Sequence, residues 1–182
     1  MGRFLVLVPI IGLTFFIVVE AVLLIRTIIH LAYSLKGSVF EPSTEEKINS
    51  ILKLADPQPD EKIVDLGSGD GELLIAFAKK GFEITGVEMN PLLISEARDR
   101  IKKRGLDDLI TIEKQDFFQM DLSKYDLVVL YCPQHIMRKL QPKLKKELKP
   151  GSRIVSNYFQ FFNWEPVQVE NEVKLYIQGK YN

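Results

Sequence analysis

The sequence predicts an α/β protein whose parallel sheet carries helices on both faces and follows one long apolar N-terminal helix. The chain has 182 residues, which suffices for about one domain with a single core. After residue 37, strand-like and helix-like segments alternate, and such alternation is typical of a parallel sheet. Before that point, Phe4 to Ile25 forms an apolar run of 22 residues with one charge, Glu20.

Composition excludes several classes of protein. The chain has 24 basic and 24 acidic residues, and a net charge of zero argues against binding nucleic acid through bulk charge. A hydrophobic fraction of 46% with 26% charged residues excludes disorder as the main state. Cys132 is the single cysteine, so neither an intramolecular disulfide nor a cysteine-built zinc site can form. We expect no metal and no nucleic acid as partners.

The apolar run predicts a membrane anchor. At about 1.5 Å per residue it reaches roughly 33 Å, and a bilayer core is about 30 Å thick. A secretory signal peptide and a buried core helix are the alternatives; no small-x-small cleavage site follows the run. We therefore expect residues 1–36 to form an anchor that contacts the bilayer through residues 4–25. Glu20 would lie near the headgroups or in a helix–helix contact.

Basic residues near the ends of the run predict its orientation. Arg3 and the amino terminus lie on one side, whereas Arg26, Lys36 and Lys47 lie on the other. This bias predicts a single-pass protein with its larger C-terminal part in the cytoplasm. The apolar pattern continues towards Gly37, a plausible helix stop.

Local signals define the elements that follow. Ser43 to Glu46 reads as a capping box that opens a helix, and Asn90 before Pro91 reads as an N-cap followed by proline at the first helical position. Pro142 predicts a kink or break in its helix. The predicted strands are 62–66, 83–88, 109–113, 126–131 and 152–157; the predicted helices are 43–54, 71–80, 90–104 and 134–148; a hairpin at 167–178 turns at Asn171.

The turn after the first strand carries the main chemical signal. Residues 67–71 have the spacing G-x-G-x-G, and in open α/β sheets ligands bind beyond the carboxyl ends of the strands. A dinucleotide fingerprint would need glycine where Glu72 stands, and an acid is unfavourable beside a pyrophosphate. Asp65 and Asp70 make the turn richer in carboxylates, so it favours a cationic cofactor without phosphate, S-adenosyl-L-methionine. The cofactor residues predicted here are Asp65, Gly67, Ser68, Gly69 and Gly71.

Two further acids follow the next two strands. Glu88 ends the second strand, where a carboxylate can accept both ribose hydroxyls. Asp116 follows the third strand and can accept the amino group of adenine, while Phe117 can stack on the purine. Each acid alone also fits a solvated strand end or a turn. Three acids at three successive strand ends favour one adenosyl-cofactor site.

Three segments resemble the cofactor motifs of seven-β-strand methyltransferases: VDLGSGDG (64–71), GVEMNP (86–91) and KQDFF (114–118). This resemblance implies a Rossmann-like class I methyltransferase sheet over residues 37–182, and it adds Met89 and Asn90 to the cofactor-binding residues.

The resemblance then narrows. The segments FEPS (40–43), YCP (131–133), LKPGSRIVSNYF (148–159) and NWEPV (163–167) resemble the small membrane-anchored protein-lysine methyltransferases. Mitochondrial members of that family modify the adenine-nucleotide carrier and the ATP-synthase c subunit, and prokaryotic relatives exist.

The narrower resemblance implies transfer of a methyl group from S-adenosyl-L-methionine to a lysine of a protein, most simply a membrane protein. It also implies that Phe40 binds the cofactor and that Tyr131 and Pro133 shape the acceptor pocket. Glu41 and Asp121 are weaker candidates, each for the role of a general base. Tyr131 equally fits a structural aromatic at a strand end.

Two other functional classes remain open at this point. One is a methyltransferase for a small molecule or lipid-soluble acceptor, and the other is a non-catalytic cofactor-binding scaffold. Two further features have more than one interpretation. The basic run 138–149 fits a solvated helix face or a contact with anionic lipid, and the aromatic cluster 159–164 fits core, acceptor contact or membrane contact.

Overall fold

The structure is a computed structural model that describes residues 2–36 and 44–180; within the first helix, the described side chains are those of 12–29, 31 and 32. The helices are α1 Gly2–Lys36, α2 Glu45–Ala55, α3 Glu72–Ala78, α4 Pro91–Lys103 and α5 Gln134–Glu147. The strands are β1 Ile63–Leu66, β2 Ile84–Glu88, β3 Ile110–Lys114, β4 Leu127–Leu130, β5 Arg153–Asn157, β6 Gln168–Glu170 and β7 Val173–Ile177.

The strands form one seven-stranded sheet in the order β3-β2-β1-β4-β5-β7-β6. Neighbours from β3 to β5 are parallel, whereas β7 runs antiparallel to β5 and β6. This confirms the predicted parallel sheet with an antiparallel hairpin at one edge. The strand order reverses between β1 and β4, which is where open α/β sheets bind ligands.

Helices cover both faces of the sheet. On one face, Met137, Leu140 and Leu144 of α5 are fully buried in a cluster that includes residues of β1 and β4. On the other face, α2, α3 and α4 contribute to a second cluster. Every residue of β1 and β4 is buried, as expected for central strands covered on both sides.

Of the two effects predicted for Pro142, the break is wrong and the kink stays a prediction. Helix α5 continues from Gln134 to Glu147 with Pro142 inside it. Pro142 lies on the exposed face, whereas Leu140 and Leu144 on either side are fully buried. Packing of both halves against the sheet therefore outweighs the local cost of the proline.

The start of α2 differs from the prediction by one residue. Thr44 is the N-cap, and its side chain accepts a hydrogen bond from Lys47 N at 3.3 Å. Ser43, the predicted cap, lies outside the described residues, as does the predicted helix stop Gly37. Thr44 satisfies one of the otherwise unpaired N–H groups of the first turn.

Helix α1 has the length and composition of a membrane span. Its window Gly12–Ile29 has 18 residues and a mean hydropathy of 2.2, and none of it is buried in the protein. This exposure does not fit the alternative of a buried core helix. A signal sequence has the same length and composition.

Candidate active site

The glycine turn is bound to the end of β2. Gly67 N and Ser68 N both donate to the carbonyl oxygen of Val87, at 2.8 and 3.0 Å. Gly67 has a φ of +87°, a conformation that L side chains rarely adopt. A Cβ at Gly67 would meet no atom within 4 Å, so this side of the turn borders open space.

The carboxylate of Glu88 is held by three backbone N–H groups. It accepts from Gly69 N at 3.1 Å and from Met89 N and Asn90 N at 2.8 Å each. Asn90 also caps α4, because its side chain accepts from Leu92 N. These bonds tie the end of β2 to the glycine turn, so the strand end and the turn form one rigid unit.

Asp65 lies below the turn, inside β1, and is only 5% exposed. Burial raises the pKa of Asp65 to about 7, and the neighbouring charge of Glu88 acts in the same direction. Among the described residues, no salt bridge joins Asp65 or Glu88 to a basic side chain. The site therefore holds two acids that a cationic ligand would stabilise.

Arg100 of α4 neutralises the other two acids of the turn. Its guanidinium pairs with Asp70 and lies 3.2 Å from Glu72 Oε2. The four carboxylates thus separate into two that Arg100 engages and two, Asp65 and Glu88, that it does not. Sequence reasoning missed Arg100, which lies 30 residues from Asp70 and has no local motif.

Gly86 in β2 is a second residue that sequence reasoning missed. A Cβ there would lie 2.5 Å from Leu74 Cδ1 and 2.7 Å from Ser68 Oγ, so only glycine fits. A glycine inside a strand is the signal that indicates such a close approach. The side chain of Ser68 thus faces β2.

The segment after β3 lies against the end of β2. Gln115 N donates to the carbonyl oxygen of Glu88 at 3.3 Å, which brings Asp116 to the same edge. Asp116 Oδ1 accepts from Phe118 N at 2.9 Å. The Phe117 ring is half-buried, 4.8 Å from that of Phe118, and packs on the core. The roles of Asp116 and Phe117 towards adenine stay predictions.

Tyr131 directly follows β4, on the other side of β1. Leu130 pairs with Leu66, so Tyr131 is level with Gly67 on the neighbouring strand. The ring of Tyr131 lies 5.7 Å from that of Phe159. Pro133 occupies the N-cap position of α5, where its carbonyl oxygen accepts from Met137 N.

Cys132, between these two residues, is buried. Burial raises the pKa of its thiol to about 12, with Asp65 and Glu88 acting in the same direction. A thiol in this environment stays protonated and is therefore a poor nucleophile.

Three predicted residues remain, namely Phe40, Glu41 and Asp121. Phe40 and Glu41 lie outside the described residues. Asp121 accepts from Ser123 N at 2.9 Å, and this bond lowers its pKa; Lys143, late in α5, lies near it. Because α5 begins at the carboxyl edge, about 15 Å separates its start from Lys143. Asp121 is therefore not assembled with Tyr131.

The donor set fits S-adenosyl-L-methionine. Within the part of the chain that the structure describes, Asp65 and Glu88 form no salt bridge with a basic side chain, and two such carboxylates suit a sulfonium, an α-ammonium and ribose hydroxyls. The open side of Gly67 leaves room for a ligand beside them. A phosphate-bearing cofactor would instead meet two carboxylates.

The fold and this site define an S-adenosyl-L-methionine-dependent methyltransferase. Residues 65–168 match the family described as the ANTKMT methyltransferase domain. The chain belongs to that family.

Three proteins similar to this chain have named activities. The protein-lysine N-methyltransferase of Saccharolobus islandicus is 35% identical over 153 residues, covering 78% of this chain and 94% of that protein. The adenine nucleotide translocase lysine N-methyltransferase of Mus musculus is 30% identical over 131 residues; the match covers 71% of this chain and only 57% of the mouse protein. An RNA methyltransferase structure from Salinibacter ruber, in complex with S-adenosyl-L-homocysteine, is 32% identical with a TM-score of 0.73 and covers 77% of this chain and 95% of that one.

Proposed function

We propose that this enzyme methylates a lysine side chain of a membrane protein and that residues 4–25 anchor it in the bilayer. In this proposal residues 1–36 form the anchor and residues 37–182 form the catalytic domain on the cytoplasmic side. One observation carries the proposal. The glycine turn after β1 and Tyr131 after β4 lie at the same level on neighbouring strands, so an aromatic residue lies beside the cation-binding site. The two lysine methyltransferases named above support a lysine acceptor.

The chemistry requires a neutral amine. A lysine with a pKa near 10.4 is only about 0.1% neutral at pH 7.4. The bound cofactor supplies the methyl group and a neighbouring positive charge. Tyr131 and Phe159 supply an apolar approach that removes water from the acceptor, and desolvation favours the neutral form of lysine. The remaining contribution is the alignment of acceptor and donor.

The Salinibacter ruber structure suggests RNA as another acceptor. Charge argues against it here. The first 36 residues hold three basic and one acidic residue, so residues 37–182 have 21 basic and 23 acidic residues. RNA-binding domains that neutralise phosphates need an excess of basic residues.

The acceptor class is tested with methyl-labelled S-adenosyl-L-methionine, the full chain and membranes of its host. We expect alkali-stable label in protein and loss of that label with Asp65→Asn. Asp107→Asn, an exposed acid away from the turn, serves as the matched control. Label in the organic extract or in RNA instead would contradict the proposal, and label in no fraction would favour a scaffold.

Orientation is tested by cysteine labelling. Because Cys132 is buried, a cysteine introduced at exposed Asp107 is the thiol that a membrane-impermeant maleimide reaches. We expect labelling in inside-out vesicles and protection in intact cells. Labelling of intact cells would place the domain on the opposite side.

The anchor also has a kinetic consequence. A tethered domain searches a surface instead of a volume, which raises the effective concentration of membrane substrates. Removing residues 1–36 should therefore slow methylation of membrane proteins in cells. Unchanged methylation would show that the anchor contributes nothing to substrate selection.

A further inference from the structure

A groove opens at the carboxyl edge of the sheet beyond Tyr131. It has a volume of about 420 Å³ and is lined by Gln134, Tyr158, Phe159, Gln160, Glu172 and Lys174. We call it the edge groove. None of the roles described above uses it apart from the contact of Phe159 with Tyr131.

Strand register places the edge groove in line with the glycine turn. Leu130 pairs with Leu66 on one side and with Ser156 on the other, and Asn157 pairs with Val173. At the carboxyl edge, the residues just after β1, β4 and β5 therefore lie in one row with the residues just before β7, because β7 runs antiparallel to the others. With strands about 4.8 Å apart, the groove over β5 and β7 lies roughly 10–14 Å from the glycine turn.

This spacing suits a lysine acceptor. A lysine has a four-carbon stem that places its amine about 6 Å from its Cα. An amine beside Tyr131 would therefore put the acceptor backbone one to two strand spacings away, over the edge groove. The rings of Tyr131 and Phe159, 5.7 Å apart, lie between the two positions.

The groove is built by turns in unusual backbone conformations. Tyr158 and Glu172 have φ values of +69° and +64°, which non-glycine residues rarely adopt. Tyr158 N donates to the carbonyl oxygen of Glu172, and Lys174 Nζ donates to the carbonyl oxygens of both residues. These bonds hold the turns together. The Tyr158 ring stays 52% exposed while its edge meets Phe159.

The groove also lies at the end of the domain that the N-terminal segment joins. Lys47, in the first turn of α2, pairs with Glu172 at 2.7 Å. The chain between Lys36 and Glu45 can span at most roughly 30 Å. An anchor ending at Lys36 would thus hold the start of α2, and the edge groove beside it, within roughly 30 Å of the end of the anchor.

We infer that the edge groove binds the extended segment of the acceptor that carries the target lysine, at the membrane–water interface. Tyr158 packs on an apolar neighbour of that lysine, and the Gln134 and Gln160 side chains lie beside its backbone. This assignment rests on the proposed lysine methylation and names the residues that select the acceptor. Tyr158 is a specificity residue and not a catalytic one.

The test compares two acceptors with the full chain in proteoliposomes. One is the membrane protein labelled in host vesicles. The other is Nα-acetyl-lysine methylamide, which has a free ε-amine and is too short to fill the groove. We expect Tyr158→Ala to lower kcat/KM for the membrane protein about tenfold, as removal of an interface aromatic does. The value for the amide and the KM for the cofactor should not change, and Tyr158→Phe should restore the rate.

Phe162→Ala is the matched control. Phe162 is 64% exposed, belongs to the same segment after β5, and does not line the groove. Gln160→Ala is a second groove variant. We expect it to lower kcat/KM for the membrane protein about threefold and to leave kcat/KM for the amide unchanged. Equal rates for Tyr158→Ala and wild type with the membrane protein, or equal losses with both acceptors, would overturn the inference. Failure of the wild type to label any protein would overturn the proposed function as well.

Discussion

The two halves of the sheet's carboxyl edge contain different types of residue. The half formed by β1, β2 and β3 consists of short turns, glycines and acids, with Glu88 held by three backbone N–H groups. The half formed by β4, β5 and β7 presents aromatic rings, amides and turns in left-handed conformations. The first half thus matches one small cation, and the second is the half to which we assign the acceptor.

This difference shows how one fold keeps its cofactor and varies its acceptor. The cofactor half depends on backbone groups and two carboxylates within 24 residues of each other, Asp65 and Glu88. The acceptor half depends on side chains from Tyr131 to Lys174, which tertiary structure brings together. Substitutions in the second half can therefore change specificity while cofactor binding persists.

The largest effect that separates the halves is expected for Asp65→Asn. Loss of one partner from a buried charge pair costs about 3 kcal/mol, so affinity for S-adenosyl-L-methionine should fall about a hundredfold. Isothermal titration calorimetry measures this, and thermal unfolding should show that the variant remains folded, because asparagine has nearly the same shape. Tyr158→Ala should bind the cofactor as wild type does. Equal cofactor affinities for Asp65→Asn and wild type would remove Asp65 from the cofactor site.

The second effect is a pH dependence confined to the cofactor half. Because burial raises the pKa of Asp65 to about 7, the folded chain retains this proton between about pH 4 and 7, where the unfolded chain has lost it. Stability without cofactor should therefore fall as pH rises from about 4 to 7 and then level off. Thermal unfolding of wild type and Asp65→Asn across this range measures the difference.

The same proton should oppose cofactor binding. Binding a cation favours ionised Asp65, so affinity should drop as pH falls below about 7, by up to tenfold per unit. Calorimetry in two buffers of different ionisation enthalpy would detect the released proton. Affinity independent of pH between about 5.5 and 7.5 would contradict the raised pKa.

A smaller effect is expected at the outer side of the glycine turn. Arg100→Gln removes the cation that faces Asp70 and Glu72. Because this pair is partly exposed, we expect the KM for the cofactor to rise about threefold with little change in kcat. Arg98→Gln, on the same helix and bonded only weakly to Ile112 O at 3.4 Å, is the control. Identical cofactor KM values for the two variants would argue that Arg100 does not position the turn.

The smallest effect concerns the first turn of α2, next to the acceptor half. Thr44→Ala removes the side chain that accepts from Lys47 N, and loss of such a cap costs about 1 kcal/mol. Chemical denaturation measures this loss of stability. Ser43→Ala should be neutral if Thr44 is the cap, whereas the reverse result would restore the capping box predicted from the sequence.

Local signals in the chain were sufficient for most of the fold. Glycine, proline and capping residues mark element ends, and period and length distinguish strands from helices, so the parallel sheet and the hairpin were both predictable. Pro142 does not break its helix, because Leu140 and Leu144 are buried on either side of it and hold both halves of the helix against the sheet. The cap of α2 shifted by one residue, which is the usual uncertainty of a helix boundary.

The sequence by itself determined the cofactor half of this protein. The turn from Gly67 to Gly71, together with Asp65 and Glu88, lies within 24 residues, so positions in the sequence indicate which residues lie close together in the structure. Tertiary structure alone decided which acids Arg100 neutralises, why Gly86 must be glycine, and that Tyr158 and Glu172 meet. Those contacts join residues that are distant in sequence, and strand order and register set them, whereas a local pattern records only what its own neighbours require.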